Sequence, residues 1–123
     1  DHLVLSRAGI FLIETKNWSN NSIESLDLRS PVEQIVRNGR ALFIKVQNSI
    51  KEKSIEIDAH HWGNKQIPIR NLIVMINNKP NGEFEFVRVK LLRELNGYIK
   101  YFKDALSNRE YESVRNYFIE LSN

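Results

Sequence analysis

No cysteine occurs in this sequence, which excludes a disulfide framework and any cysteine-bound zinc site and is compatible with the cytoplasmic location expected here. No apolar run approaches the roughly 18 residues needed to span a bilayer, and no signal peptide stands ahead of Asp1, so a membrane is not among the expected partners. Internal repeats, low-complexity tracts, a glycine-rich phosphate loop and a Ser-His-Asp pattern are all missing, which removes the common nucleotide-loop and serine-hydrolase readings. An acidic excess is missing too: 18 Lys and Arg against 15 Asp and Glu leave a net charge of +3 and an isoelectric point near 9.3. That mild basic balance suits an anionic partner without demanding one. With 41% hydrophobic residues over 123 positions there is apolar material for one core, hence a single domain.

Against these absences one stretch stands out. Gly9-Ile10-Phe11-Leu12-Ile13-Glu14-Thr15-Lys16 runs four apolar residues straight into an acid, a threonine and a lysine, a buried strand whose end carries charge. Strand side chains alternate faces, so Ile10, Leu12, Glu14 and Lys16 share one side. Such charges at the end of an apolar strand must be paired, hydrated or coordinated. Two readings fit: an ordinary ion pair at a wet strand end, worth little, or a metal-ligating Glu14 with Lys16 orienting water or neutralising charge on a phosphate.

Asp1-His2-Leu3-Val4-Leu5 reads as a second short strand, joined through Ser6-Arg7-Ala8-Gly9. A turn centred on Arg7 and Ala8 sets Asp1 opposite Glu14; one centred on Ala8 and Gly9 sets it opposite Lys16. A three-residue loop reverses the parity and sends Asp1 to the other face. Opposed carboxylates repel unless something positive lies between them. Lys16 supplies part of that, and a divalent cation of the Mg²⁺ type, which favours oxygen ligands, supplies more.

Downstream, Asn17 to Arg29 is polar and irregular, with Trp18 either stacking on a base or sugar or packing over the sheet edge. Ile23, Leu26 and Leu28 hint at a short covering strand. Ser30-Pro31-Val32-Glu33 starts a helix, with Ser30 as cap, Pro31 at the first helical position and Glu33 closing a capping box. Val32, Ile35, Val36, Leu42, Phe43, Val46 and Ile50 give it one apolar face to about Lys51, interrupted by Gly39. Gln34 and Asn38 stand one turn apart beside that face. Arg37 and Arg40, with Arg29 just ahead, either touch phosphates or simply solubilise the helix.

Ile55, Ile57 and Ala59 alternate with Glu56 and Asp58 in the pattern of a short half-exposed strand. Adjacent His60 and His61 point in opposite directions on an extended chain, so the Asp58-Ala59-His60-His61-Trp62 run is read as a polar loop before a Gly63-Asn64 turn and not as a zinc site. Ile67 to Ile76 resumes the sheet, its Leu72-Ile73-Val74-Met75-Ile76 run suggesting burial on both faces. A turn follows at Pro80-Asn81-Gly82, and Phe84, Phe86, Val87 and Val89 give another strand. Leu91, Leu92, Leu95, Tyr98, Ile99, Phe102 and Leu106 fit a helical face weakened by Gly97. Ser107-Asn108 breaks or caps it, and 107–123 forms a C-terminal amphipathic helix through Tyr111, Val114, Phe118 and Leu121.

Asp-His-Leu-Val-Leu, then Gly-Ile-Phe-Leu-Ile-Glu-Thr-Lys-Asn-Trp-Ser, then Ser-Pro-Val-Glu-Gln, resembles the nuclease-related domain (NERD), a branch of the PD-(D/E)xK nuclease superfamily. The motif-bearing part covers about residues 1–45. D…ExK alone is a weak signal, and the extended string with its downstream glutamine is more specific. The resemblance implies an α/β fold with a restriction-endonuclease-like core, a central mixed sheet of about four strands flanked by helices. It places Asp1 and Glu14 as metal ligands for Mg²⁺ or Mn²⁺, Lys16 as the catalytic cation and Gln34 as their active-site neighbour. In the family a helix and a strand, often with another acid, usually precede the aspartate, so the sequence reads as a domain lacking them. The connection from Lys16 to Gln34 also looks short, with Asn20 where glycine is common.

The expected function is metal-dependent hydrolysis of DNA phosphodiester bonds, with RNA as the other polynucleotide considered and Arg29, Arg37, Arg40 and Trp18 as nucleic-acid contacts. The rival is a non-catalytic nucleic-acid-binding or protein-interaction module on the same fold.

Overall fold

The computed structural model describes residues 2–16, 29–60, 63–64, 66–76 and 84–122. Its centre is a four-stranded mixed sheet built outward from a hairpin. Strands β1 (His2–Ser6) and β2 (Gly9–Lys16) pair antiparallel, His2 with Ile13 and Ser6 with Gly9. The turn is therefore Arg7-Ala8, the first of the alternatives the sequence left open. Helix α1 (Arg29–Lys51) and a small ribbon of β3 (Ala59–His60) and β4 (Gly63–Asn64) follow. The chain then returns as β5 (Ile69–Met75), which runs parallel to β2 from Ile10↔Ile69 to Lys16↔Met75. Strand β6 (Val87–Leu91) adds in parallel on the far side, so the order across the sheet is β1-β2-β5-β6. This is the α/β architecture with a mixed sheet that the sequence predicts.

The tightness of the hairpin rests on Gly9. Its φ is +128°, and a Cβ there would lie 2.4 Å from the Pro68 carbonyl oxygen, the same oxygen that accepts the Ile10 N–H at 2.8 Å. Both the backbone conformation and the contact exclude a side chain. Gly9→Ala is expected to destabilise the domain by about 2 kcal/mol or more; an unchanged urea midpoint would show that neither constraint matters.

The two faces of the sheet are covered differently. On one, Ile73 and Met75 of β5 and Val87 and Leu91 of β6 pack with Ile35 of α1, joined by Leu12, Val32 and Val36. Further along the same face, Ile10 and Val46 meet Ile55, Ile67, Leu106 and Val114. On the other face, Phe11, Ile13, Leu72 and Val74 lie under Leu95, Tyr98 and Ile99 of helix α2 (Leu95–Tyr101) and under Phe102 just beyond it. Because α1 and its partners cover one side and α2 the other, the middle of β5 is sealed twice: Leu72, Ile73, Val74 and Met75 are each at most 1% exposed.

Several boundaries differ from the sequence reading, each for a physical reason. Helix α1 begins at Arg29, so Ser30 lies within its first turn. Pro31 is tolerated there because the first N–H groups of a helix have no intrahelical acceptor. Residues 55–58 show the expected alternation, Ile55 buried and Glu56 exposed, yet they join no sheet. Ile55 N–H donates to the Ser49 carbonyl at 3.1 Å, and two further amides are held by helix α3 (Asn108–Leu121): Glu56 N–H donates to Ser113 Oγ at 2.8 Å and Asp58 N–H to Glu110 Oε2 at 3.1 Å. Gly63-Asn64 is not a turn but strand β4, pairing with β3. Phe84 and Phe86 precede β6 instead of belonging to it; Phe84 bridges Val87 across a tight Glu85-Phe86 turn in which Phe86 has φ +66°.

The helix predicted from Leu91 to Leu106 is shorter as well. A single 3₁₀ turn (Leu92–Glu94) leads into α2, which stops where Phe102 turns extended. The chain then docks on the hairpin, the Ala105 and Leu106 N–H groups both donating to the Arg7 carbonyl at 2.8 Å. Ser107 caps α3, accepting from Glu110 N–H, while Glu110 Oε1 accepts the Ser107 N–H at 2.8 Å. Glu110 is fully buried, so this reciprocal capping and the Asp58 bond also satisfy a carboxylate that would be costly if left unpaired. The Ile23–Leu28 strand and the Pro80-Asn81-Gly82 turn lie outside the described residues. Among those described, no helix is long and apolar enough to cross a membrane.

Candidate active site at the end of strand β2

Alternation along β2 places Ile10, Leu12, Glu14 and Lys16 on the side of the sheet that α1 covers. The first two disappear into the core beneath the helix. By Glu14 the cover has thinned, and the side chains of Glu14 and Lys16 are 26% and 32% exposed. Lys16 Nζ lies 3.2 Å from Glu14 Oε1. The pair that sequence spacing predicts is thus formed, at the carboxyl end of a strand flanked in parallel by β5. In open α/β sheets this edge is where ligands bind. The first turns of α1 pack on this side of the sheet, since Val32 and Ile35 belong to the apolar cluster that holds Met75, the residue opposite Lys16.

A partly exposed ion pair of this kind contributes little to stability, about 1 kcal/mol or less. Its interest is chemical. The carboxylate keeps Oε2 as a second hard donor, and the ammonium is held within reach of whatever that oxygen binds. A single glutamate with room for waters fits Mg²⁺ or Mn²⁺, which take one or two carboxylates. Among the described residues no group of three or more His, Cys, Asp or Glu side chains converges as a metal site, so a closed protein cage of the zinc type does not occur there.

The other residues singled out in the sequence are distributed as follows. Gln34 is exposed on α1, and its Nε2 donates to Asn38 Oδ1 at 3.1 Å. It stands in the second turn of the helix and is not bonded to Glu14 or Lys16. Arg37 is exposed on the same helix, and Arg40, also exposed, lines a cleft with Val36, Gly39 and Phe43. Asp1 and Trp18 lie outside the described residues, as does the side chain of Arg29 at the start of α1, so their candidate roles rest on sequence.

One cluster falls outside the sequence reading. Arg70, at the start of β5, stacks 3.8 Å above the centroid of Phe102, sits 5.6 Å from that of Phe11 and donates from Nη1 to the Ala8 carbonyl at 3.1 Å. Burial pulls its guanidinium below the ordinary arginine value, an effect Tyr98 partly opposes. The available signal is one arginine within β5, two residues ahead of its doubly buried Leu72–Met75 run.

The sheet order, the crossover helix and an acid-x-lysine pair at a strand's carboxyl end together define an α/β domain with an endonuclease-like core. The family model described as nuclease-related domain (NERD) matches residues 1–76, from the hairpin to the end of β5. The chain therefore belongs to the nuclease-related domain family. It matches no curated protein and no solved structure. Strand β6 and helices α2 and α3 lie beyond the matched residues.

Proposed function

We propose that this domain is a divalent-metal-dependent nuclease hydrolysing phosphodiester bonds in DNA. The observation that carries the reading is the Glu14–Lys16 pair on one face at the carboxyl end of β2, at 3.2 Å, in a chain of a nuclease-related family. Glu14 and Asp1 would hold Mg²⁺ or Mn²⁺. For Asp1, which lies outside the described residues, the support is the sequence motif and the family match that covers it. When bound, such an ion supplies positive charge at the scissile phosphate and lowers the pKa of water.

The chain's own groups do the rest. Glu14 orients one carboxylate oxygen toward the site while its other oxygen holds Lys16. The Lys16 ammonium, on a flexible stem, moves from Glu14 to the phosphoryl oxygens as negative charge builds on them, an electrostatic contribution that is large where charge develops. Gln34 supports the site from α1, which requires it to exchange its Asn38 bond for one toward the strand end. Arg29, Arg37 and Arg40 would contact phosphates along the approach, and Trp18 a base or sugar; such contacts position a duplex without reading its sequence.

Supercoiled plasmid incubated with the full chain is expected to be nicked or linearised in Mg²⁺ or Mn²⁺ and to stay intact in EDTA. A second reading is favoured by the bond that holds Gln34 away from the pair: a non-catalytic nucleic-acid-binding module. It predicts plasmid that is bound yet uncut under every metal. Under either reading, alanine at both Arg37 and Arg40 is expected to flatten the plot of log affinity against log salt by about 0.9 for each phosphate no longer neutralised, measured on a duplex.

A further inference from the structure

A second cleft, of about 570 Å³, opens where β5 and β6 begin, on the side covered by α2. Its described lining includes Arg70, Arg88, Tyr98, Tyr101 and Phe102 and contains no carboxylate. Of the acids nearby in sequence, Glu85 stands in the exposed turn before Phe86 and Asp104, two residues beyond Phe102, pairs with Arg7 at 3.3 Å; neither lines it. Arg88 is exposed and forms no ion pair among the described residues. Arg70 spends one N–H on the Ala8 carbonyl, leaving the remaining donors of a five-donor guanidinium. Tyr101 is 80% exposed, an unusual position for so large a ring. It packs edge-on against Phe102 at 5.4 Å, and Phe102 in turn carries Arg70 on its face and meets Tyr98 at 5.1 Å.

Two cations without acidic neighbours, beside an exposed aromatic ring fixed by a stack of others, form a matched pair of subsites. The guanidiniums suit a phosphate. The open ring suits a flat base, because stacking on an aromatic side chain needs only a π-face. An apolar ligand would leave the arginines unused, and a simple anion would leave Tyr101 unused.

We propose that this cleft binds a nucleotide unit, its phosphate on Arg88 and Arg70 and its base on Tyr101. The site lies at the opposite end of β5 from the residue paired with Lys16 and on the opposite face of the sheet, so it is separate from the proposed hydrolytic centre and needs no metal. The same chemistry is presented by a free nucleotide and by one residue of a single strand.

The test uses the full chain carrying Glu14→Ala, in EDTA, so that cleavage plays no part and failure of the nuclease reading leaves the result interpretable. Fluorescence anisotropy of labelled oligo(dT), about ten nucleotides long, is followed alone and in competition with thymidine monophosphate. Adding Tyr101→Ala is expected to weaken binding about tenfold and Tyr101→Phe to preserve it. Arg88→Ala is expected to lower the salt slope by about 0.7, one phosphate on a single strand. Both side chains are exposed, so unchanged melting curves accompany these effects. Competition by the mononucleotide that the same substitutions abolish assigns a free nucleotide as ligand; oligonucleotide binding without such competition assigns a strand. Parental affinity and salt slope in both alanine variants, or no binding of either probe, would overturn the proposal.

Discussion

Replacing Glu14 with alanine is expected to slow metal-dependent DNA cleavage by about a thousandfold while DNA affinity stays within about twofold. The carboxylate stands at the strand end where a metal ion is proposed to bind, and its Oε1 also holds Lys16 at 3.2 Å. Removing it would delete the proposed ligand and release the Lys16 ammonium from its ion pair. Lys16→Ala is expected to cost on the order of 10²–10³ in the same assay, the range for removing one positioned group that meets developing charge. Lys16→Arg is not a neutral exchange, because a planar fork does not replace a compact ammonium. Stability is expected to change little, since the pair is partly exposed and its removal is worth about 1 kcal/mol or less. Single-turnover rates with protein in excess, alongside binding in EDTA, separate these effects; a Glu14→Ala rate equal to the parent's would contradict the role.

Phe11→Ala is expected to destabilise the domain by about 3–5 kcal/mol. Phe11 is 0% exposed in the middle of β2, edge-on to Tyr98 at 6.4 Å and tilted against Phe102 at 5.9 Å. Truncation leaves a cavity bounded by Ile13, Leu72 and Val74, all anchored in the sheet, so collapse around it is limited. A domain of this size has about 5–15 kcal/mol in total, so the substitution removes a large share of it. The ring also lies 5.6 Å from the Arg70 guanidinium, so the same substitution loosens the basic cleft. Urea unfolding is the measurement, and a shift below about 1 kcal/mol would show that the α2 side of the sheet is not closely packed.

What the sequence made legible follows the strength of local signals. The alternation of Ile10 through Lys16 fixed the face on which Glu14 and Lys16 meet, the apolar run at 72–76 announced a doubly covered strand, and Ser107-Asn108 marked the boundary at which α3 is capped. Where the deciding contact is distant, local reading fell short. The hairpin register had three solutions in the sequence, and the structure adopts the one that pairs Ser6 with Gly9, where the Pro68 carbonyl closes on Gly9. Residues 55–58 alternate like a strand because Ile55 and Ile57 face the core, yet the Glu56 and Asp58 amides bond to α3 side chains more than fifty residues away. Helix α2 ends early because Phe102 leaves the helical path and its ring meets Phe11 and Arg70, which no spacing rule encodes. Gly39 looked like a flaw in α1; it is where the helix lies against Asn71, whose Oδ1 would stand 2.4 Å from any Cβ. Gln34 shows the limit of spacing: it sets Gln34 and Asn38 one turn apart, while the rotamer that bonds them to each other is a local choice that spacing does not determine.

Plasmid cleavage by the parent chain and by Glu14→Ala in Mn²⁺, with EDTA as the blank and DNA binding measured in parallel, decides whether the end of β2 is a hydrolytic centre. Cutting by the parent alone, absent in EDTA, with equal binding by both proteins, is the expected result. Equal cutting by both, or intact DNA bound by the parent in every metal, would contradict that assignment.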